Sequence, residues 1–407
     1  MKTLISLKDA SKLLSVSSDT IRRWDKKGLI KSTRSPLNHR CFDIAEIERL
    51  QRKLNGEFTE NNYQILQSPG TKLKSIELFA GAGGMALGLH NAGIQHELLV
   101  EYDKKAAETL RTNKPSWNTV CTDVRHVDFL KYRDQIDVVE GGFPCQSFSY
   151  AGKKRGFEDT RGTLFFEFAR CVKEVRPKIA IGENVRGLLR HEEGKTLQTM
   201  IDVLKRLKYR VAFKVLRSQY LDVPQKRERL IIVGVREDIK APILFPRERD
   251  YTVSLREALM DVPKSLGQKY PDKKNKILKL IPPGGYWRDL PDNLQREYMG
   301  KSYFQGGGKT GMARRLSWHE PSLTLTCSPA QKQTERCHPE ETRPLTVREY
   351  ARIQTFPDEW SFAGSVTDQY KQIGNAVPVN LGFHIGSAVK SMLTGSTIGD
   401  FEILPSL

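Results

Sequence analysis

Residues 72–239 alternate between short apolar runs typical of buried strands and amphipathic runs typical of helices. We predict about seven strands here, of which "RERLIIVGVR" is the last. A helix between two parallel strands carries the chain back across the sheet, so this alternation is typical of parallel sheets. The region therefore predicts an α/β fold with a doubly wound, mostly parallel sheet.

The rest of the sequence forms shorter parts around this region. Residues 1–54 show three helical patterns, with a basic stretch before the third that predicts a hairpin or wing. Residues 55–71 are polar, contain a Pro-Gly pair and predict a linker. Residues 240–342 lose the alternation and mix proline, glycine, lysine and aromatic residues, whereas order returns in 343–407. We therefore predict a small N-terminal domain and a larger α/β unit with an irregular segment.

The charge of the chain indicates its class of partner. The 407 residues include 66 lysines and arginines against 48 aspartates and glutamates, a net charge of +18. This excess favours nucleic acid, because neutralising phosphates releases counterions, although solubility or an acidic protein partner would also explain it. We find no apolar run long enough for a membrane helix, no secretory signal and no close pairing among the six cysteines. These features predict a cytoplasmic protein.

A glycine-rich turn follows the first strand of the α/β region, in "ELFAGAGGMALGL" at residues 77–89. Such a turn lets a nucleotide cofactor approach the backbone beside a helix N-terminus. Glu101 closes the second strand and suits ribose hydroxyls, and Asp123 follows the third strand and suits an adenine edge. The pattern by itself fits NAD and S-adenosylmethionine equally well.

Three further segments carry chemistry next to later strands, two at carboxyl ends and one at the opening of a strand. Cys145 in "GGFPCQSFS" is a candidate nucleophile, with a buried structural cysteine and a metal ligand as alternatives. Glu183 in "GENV" could protonate a ring nitrogen, or could simply cap its strand. "QKRER" opens the last predicted strand, and its Arg227 and Arg229, two positions apart, should lie on one face of that strand. They could grip a phosphate or carbonyl oxygen, or could form a solvated basic edge.

In their order along residues 72–393, these motifs resemble the DNA (cytosine-5)-methyltransferase family. The resemblance implies a Rossmann-like methyltransferase sheet, with 72–239 as catalytic domain, 240–342 as target-recognition domain and 343–407 completing the catalytic domain. It implies transfer of a methyl group from S-adenosylmethionine to C5 of a cytosine in duplex DNA, within a restriction–modification system. The cytosine would be flipped out of the helix to reach the site.

The resemblance also implies roles for individual residues. Cys145 would attack C6 of the base, Glu183 would bind N3, and Arg229 with Arg227 would hold the base carbonyl or its phosphate. The residues that would line the S-adenosylmethionine site are Phe79, Ala82, Gly83, Glu101, Asp123, Pro144, Asn375 and Ala376. Candidate DNA contacts of the catalytic and recognition parts are Gln146, Ser149 and Thr324. No metal is expected, since the spacing of the remaining cysteines and histidines fits no common site.

The N-terminal stretch resembles the helix-turn-helix and wing of MerR-like and excisionase-like DNA-binding domains, through "DTIRRWDKKGLIKSTRS" and "HRCFDIAEIERL". Its second helix would enter the major groove, with contacts from Thr20, Arg22, Arg23 and Lys26. We expect it to bind an operator and repress its own or a neighbouring gene. The alternative is a helical cap with a solvated basic face.

Double-stranded DNA is thus the expected partner. A cognate restriction endonuclease would be a partner in the genetic sense, encoded in the same system, rather than necessarily one that binds the protein. Two rival functions keep part of this interpretation: an inactive DNA-binding regulator, and a methyltransferase that acts on RNA.

Overall fold

A computed structural model of the chain describes residues 4–14, 16–26, 30, 32–35, 38–54, 62–144, 164–307, 309–395 and 400–407. The chain forms two compact units, Met1–Asn62 and Tyr63–Leu407.

In its described residues, the smaller unit combines three helices with a three-stranded antiparallel sheet in the order β1-β3-β2. Its elements are β1 (Leu4–Ser6), α1 (Leu7–Leu13), α2 (Ser18–Lys26), β2 (Ser32–Arg34), β3 (Arg40–Asp43) and α3 (Ile44–Leu54). Helix α1 begins where the Ser6 hydroxyl accepts a hydrogen bond from the Asp9 amide. Asp25 accepts hydrogen bonds from Ser32 and Arg40, so the predicted wing is tied to the end of α2.

The larger unit contains the predicted alternation of strands and helices. Its strands are β4 (Lys74–Leu78), β5 (Gln95–Glu101), β6 (Thr119–Cys121), β7 (Val138–Gly141), β8 (Ile179–Val185), β9 (Tyr209–Arg217), β10 (Gln225–Lys226), β11 (Glu228–Arg236), β12 (Ile243–Pro246), β13 (Ser322–Leu323) and β14 (Phe401–Leu404). Its helices are α4 (Gly84–Asn91), α5 (Lys104–Asn113), α6 (Leu164–Val175), α7 (Lys195–Arg206), α8 (Leu255–Leu259), α9 (Asp272–Lys279), α10 (Asp292–Met299), α11 (Val347–Ile353), α12 (Val366–Asn375) and α13 (Val379–Thr394).

The central sheet has seven strands in the order β6-β5-β4-β7-β8-β11-β9. The neighbouring pairs from β6 to β8 are parallel, whereas β11 runs antiparallel to both β8 and β9. The chain winds outward from β4 to β6 and then restarts at β7 on the other side of β4. Ligands of doubly wound sheets bind where the strand order reverses in this way, so the carboxyl ends of β4 and β7 mark the expected site.

Helices cover both faces of the sheet, as the doubly wound class requires. On one face, α6 and α7 supply Phe168 and Met200 to a buried apolar cluster. On the other face, α4 and α13 pack on the strands and on each other. The two helices approach so closely that a Cβ on Gly88 would lie 2.6 Å from the Cα of Gly382. The predicted α/β class is confirmed.

The irregular segment 240–342 divides between two cores. Its first part belongs to the main body, because β12 pairs with β14 and α8 joins a cluster beside the glycine turn. A separate cluster draws its buried members from positions between Tyr270 and Cys337. None of the helices in the described part of the chain is long and apolar enough to cross a membrane.

Candidate active site

The glycine turn after β4 adopts left-handed backbone conformations that leave room above it. Phe79, Gly81 and Gly83 have φ of 61°, 54° and 86°. A Cβ on Gly83 would lie 2.6 Å from Leu110, so only glycine fits at that N-cap of α4. A Cβ on Gly81 would meet nothing within 4 Å, which means that the space over the turn is open. The open space above the turn of residues 79–84, which we call the cradle, can admit a nucleotide cofactor.

Glu101 at the end of β5 is fixed against this turn. Its two carboxyl oxygens accept hydrogen bonds from the amides of Gly81 and Asp103, each at 2.7 Å. Burial raises the pKa of Glu101, and the two amide hydrogen bonds oppose this effect. The next residue, Tyr102, leaves 76% of its surface exposed beside the carboxyl group. Tyr102 is therefore a further candidate for the site, although the sequence motifs did not indicate it.

Asp123 lies after β6 at the same edge of the sheet. Hydrogen bonds from the Arg125 side chain and amide hold the pKa of Asp123 well below its usual range. Its carboxylate therefore stays charged, with Arg125 as a local partner.

The C-terminal segment returns to the glycine turn, as the sequence suggested for Asn375 and Ala376. A Cβ on Gly84 would overlap the carbonyl oxygen of Val377 and lie 3.2 Å from the Cβ of Ala376. The side-chain oxygen of Asn375 lies 3.1 Å from the sulfur of Cys327, which can donate a hydrogen bond to it. The structure thus places Ala376 beside the turn, and Asn375 directly precedes it in the chain.

The segment after β7 approaches the same point. The side chain of Asn184 donates a 2.8 Å hydrogen bond to the carbonyl of Phe143, whose ring packs on Phe165 and Phe168. Pro144 follows and is exposed. The predicted nucleophile Cys145 and the candidate DNA contacts Gln146 and Ser149 lie outside the described residues.

Glu183 and Arg229 form an ion pair beside this segment. The Nε of Arg229 lies 2.6 Å from a carboxyl oxygen of Glu183, and the two side chains are only 11% and 12% exposed. The pairing follows from register, because β8 and β11 place Arg229 opposite Val185, diagonal to Glu183. A Cβ on Gly142 would lie 3.2 Å from the other Glu183 oxygen, so this glycine admits the carboxyl group.

Arg227 does not share a strand face with Arg229, contrary to our expectation. It lies between β10 and β11, so the alternation of a continuous strand does not apply across it. Its fully buried guanidinium donates hydrogen bonds to carbonyl oxygens, at 3.2 Å to Leu325, 3.1 Å to Gly374 and 2.9 Å to Ala376. Burial, followed by the charge of Arg229, lowers the pKa of Arg227. Arg227 thus ties residues 325 and 374–376 together.

A cavity of about 330 Å³ opens beside Arg229. Its lining is rich in cations and consists of Val185, Arg186, Gly187, Arg217, Gln219, Lys226, Arg227, Glu228, Arg229 and Thr324. The hydroxyl of Thr324 donates a 2.6 Å hydrogen bond to the carbonyl of Lys226, which joins the irregular segment to the site. No group of three or more histidines, cysteines or carboxylates among the described residues could hold a metal ion.

The four DNA-contact candidates of the smaller unit lie on α2. Arg22, Arg23 and Lys26 are exposed, and Thr20 is partly buried. Arg22 pairs with Asp19 at 2.6 Å, and the Arg23 guanidinium donates a 3.3 Å hydrogen bond to the Thr20 hydroxyl. Three of the four candidates are therefore accessible to a partner.

Comparison with known proteins identifies the enzyme class. Residues 73–391 match the model of the C-5 cytosine-specific DNA methylase family. The chain belongs to this family. It is 55% identical over 407 residues to the Type II methyltransferase M.Eco47II of Escherichia coli, covering 97% of each chain. It is 49% identical to the Type II methyltransferase M.PspPI of a Psychrobacter species, covering 96% of each chain.

These matches confirm the predicted enzyme and cofactor. The protein is a DNA (cytosine-5)-methyltransferase that takes its methyl group from S-adenosylmethionine. In the smaller unit, residues 6–42 match the model of MerR family regulatory proteins, as the sequence suggested.

Solved structures support the fold. A crystal structure from E. coli, described as a prophage-encoded DNA modification methyltransferase, is similar with a TM-score of 0.59 at 24% identity. The likeness covers 79% of this chain and 99% of that one.

Proposed function

We propose that this enzyme methylates one cytosine within a specific duplex DNA sequence, as the modification enzyme of a restriction–modification system in the bacterial cytoplasm. The observation that carries the proposal is the Glu183–Arg229 ion pair, which lies next to the segment leading to Cys145 at the switch point of the sheet. The names of the similar Type II methyltransferases support the biological setting.

The chemistry needs a nucleophile and a proton donor. Carbon 5 of cytosine is a weak nucleophile, so a thiolate must first add to C6. In our proposal the sulfur of Cys145 forms a bond to C6 while Glu183 transfers a proton to N3. Bound S-adenosylmethionine supplies the electrophilic methyl group for C5. The C5 proton then leaves to a base, N3 returns its proton to Glu183, and the bond between C6 and sulfur breaks.

Arg229 and Arg227 have different roles in this proposal. Arg229 orients the carboxyl group of Glu183 and lines the cavity, where its guanidinium would contact the base carbonyl or a phosphate. Arg227 is a positioning residue, because its described hydrogen bonds all go to backbone carbonyls. It keeps the C-terminal segment beside the glycine turn.

The open cradle fits S-adenosylmethionine. Glu101 would bind the ribose hydroxyls, because its fixed carboxyl group keeps lone pairs free for donors. The exposed ring of Tyr102 would stack on the adenine. The other residues that we propose to line the site are Phe79, Ala82, Gly83, Asp123, Pro144, Asn375 and Ala376.

DNA recognition would involve the part of the irregular segment that has its own core, between Tyr270 and Cys337. The target cytosine would flip into the cation-lined cavity, with Gln146, Ser149 and Thr324 near the DNA. A methyl-transfer assay with labelled S-adenosylmethionine tests the substrate class. We expect incorporation into duplex DNA and none into transfer RNA, and incorporation into RNA alone would contradict the proposal.

A second function is favoured by the MerR family match of residues 6–42. We propose that the smaller unit binds operator DNA and represses the enzyme's own gene or a neighbour. Promoter binding should be lost in a variant lacking residues 1–62, while methylation is retained. Unchanged promoter binding by that variant would refute the proposal that the smaller unit binds operator DNA.

A further inference from the structure

Three aromatic side chains lead from the separate core between Tyr270 and Cys337 to its surface. Trp287 is buried in that core, and Tyr303 packs on it edge to face, with 5.9 Å between ring centroids. Phe304 packs on Tyr303 in the same way at 5.2 Å and leaves 84% of its own surface exposed. Within the described residues no other large apolar residue is as exposed, so Phe304 calls for a partner.

The turn that carries Phe304 is braced, so its ring projects from a supported backbone. The Lys309 ammonium donates hydrogen bonds to the carbonyl oxygens of Ser302 and Gln305, on either side of the aromatic pair. Beyond the turn the space is open, because a Cβ on Gly307 would meet nothing within 4 Å. A flat ligand can therefore reach the Phe304 ring without displacing the chain that follows.

Two arginines lie against the rings behind Phe304. The guanidinium of Arg288 lies over the Trp287 ring at 5.2 Å from its centroid, and that of Arg296 lies over Tyr303 at 5.8 Å. Both arginines are exposed, and neither pairs with a carboxylate of the described residues. The aromatic stack thus combines an apolar tip with cations that can bind phosphate.

The carboxylates near these arginines in the chain have other roles. Asp289 accepts a 2.8 Å hydrogen bond from the Tyr286 amide, and Glu297 lies 3.5 Å from the Lys273 ammonium. Asp292 lies in the first turn of α10, where the helix dipole favours its charge. The two guanidinium groups are therefore available to an external anion, and the net charge of +18 favours a polyanion.

We propose that Phe304 is a wedge that inserts between neighbouring base pairs when the enzyme binds its recognition sequence, while Arg288 and Arg296 bind flanking phosphates. Inserted phenylalanines partly unstack a base step, and every base offers a π-face to an aromatic ring. The braced turn keeps the ordering cost of this contact low. Base steps differ in the cost of unstacking, so the wedge also contributes to sequence specificity. The inference rests on the proposed methylation of duplex DNA.

The test compares dissociation constants for two labelled duplexes of equal length, one with the recognition sequence and one without it, by fluorescence anisotropy. Phe304→Ala should weaken binding of the specific duplex by about 10–100-fold, because the stacking contact is lost. Binding of the other duplex should stay within about twofold of the wild type, because contacts to phosphates dominate it. Phe304→Trp keeps a stacking ring and should bind the specific duplex within about threefold of the wild type.

A second readout distinguishes insertion from a contact outside the helix. 2-Aminopurine fluoresces more strongly when it is unstacked, and it is placed in turn at positions in and beside the recognition sequence. The wild type should raise the fluorescence at one position or more where Phe304→Ala does not. Equal signals from both proteins at every position would overturn the wedge, as would an equal loss of affinity for both duplexes.

Ile403→Ala is the matched control, because Ile403 on β14 is 68% exposed and belongs to the main body. It should leave both dissociation constants unchanged. Arg288→Gln combined with Arg296→Gln should lower by about two the number of counterions released on binding. An unchanged salt slope would overturn the phosphate contacts.

The exposed Phe304 ring lies outside the packed core, so Phe304→Ala should fold, and circular dichroism checks this. Phe304→Gln is a second variant without the ring and should show the same loss. If the wild type methylates duplex DNA and a folded ringless variant binds the specific duplex equally well, only the inference fails. If the wild type transfers no methyl group to duplex DNA, the proposed function fails, and the inference fails with it.

Discussion

Replacing Glu77 by glutamine should make the protein more stable at alkaline pH. Glutamine keeps the shape of a protonated glutamate and can still accept the hydrogen bond from the Ala86 amide. It cannot ionise, so the cost of a buried negative charge disappears. A substitution inside a packed sheet would otherwise be expected to destabilise.

The magnitude follows from linkage between proton binding and folding. The ordinary carboxyl pKa is 4.5, and burial raises that of Glu77 to about 8. Between these values the folded protein binds a proton that the unfolded chain has lost, so stability falls as pH rises. The stabilisation is fully present below about pH 4.5 and is lost as pH rises through about 8. At 1.36 kcal/mol per pH unit the loss amounts to about 5 kcal/mol. This figure is an upper bound, because Glu140, the buried register partner of Glu77 on β7, competes for the same proton.

Urea denaturation between pH 5 and pH 8.5 measures this loss. Fluorescence of Trp117 and Trp360 reports on the larger unit, because both rings pack in the cluster beside the glycine turn. Through Glu77, the wild-type free energy of unfolding should fall by about 3–4 kcal/mol over this range, and that of Glu77→Gln should fall by less. Glu97→Gln is the control, because Glu97 on β5 is partly exposed and pairs with Lys74, and it should follow the wild type. Equal pH slopes for the wild type and Glu77→Gln, at equal m-values, would refute the reasoning.

Three further substitutions test other parts of the account. Arg227→Lys should lower the free energy of unfolding by about 2–4 kcal/mol in urea denaturation, because the buried carbonyl oxygens of residues 325, 374 and 376 lose their donors. An unchanged free energy of unfolding would contradict the proposed positioning role of Arg227. Gly84→Ala should weaken S-adenosylmethionine binding at least about tenfold, measured by calorimetry, because the added Cβ would displace residue 377 beside the glycine turn. Gly70→Ala is the control and should bind S-adenosylmethionine like the wild type, because a Cβ on Gly70 would meet nothing within 4 Å. Arg23→Ala combined with Lys26→Ala should lower by about two the number of counterions released on promoter binding, measured from the slope of log affinity against log salt concentration. The kcat/KM for methylation should stay unchanged. Unaltered promoter binding in that variant would place the contact elsewhere.

Register explains why much of the site was predictable. Glu183 lies near the end of β8, a long apolar run, so its place at the carboxyl edge of the sheet could be predicted. Arg229 begins β11 and reaches the same edge because β11 runs antiparallel to β8, a direction that the sequence did not indicate. The glycine turn and Glu101 follow the same logic, because parallel strands end together.

Arg227 was misplaced for a specific reason. The short strand β10 stops at Lys226 and pairs with a segment almost 100 residues later. Sequence periodicity cannot show such a break, because the partner strand is distant along the chain. For the same reason the sequence did not show that residues 240–342 divide between the main body and a separate core. The first of these residues join the main body through β12, whose partner β14 lies at the end of the chain.

The buried glutamates left a visible signal that we did not use. Glu77 and Glu140 each interrupt an apolar strand close to its carboxyl end. A charged residue inside such a run is costly unless it is paired or neutral. Their proximity, however, depended on knowing that β4 and β7 are neighbours, which only the strand order reveals.

Covalent trapping on DNA tests the central claim most directly. A duplex substrate with 5-fluorocytosine at the target position cannot lose a proton from C5, so the enzyme should remain bound after methyl transfer. Digestion and mass spectrometry should then find the modified base on Cys145, and Cys145→Ser should form no adduct. An adduct on another residue, or methylation of ordinary DNA by Cys145→Ser, would contradict the account.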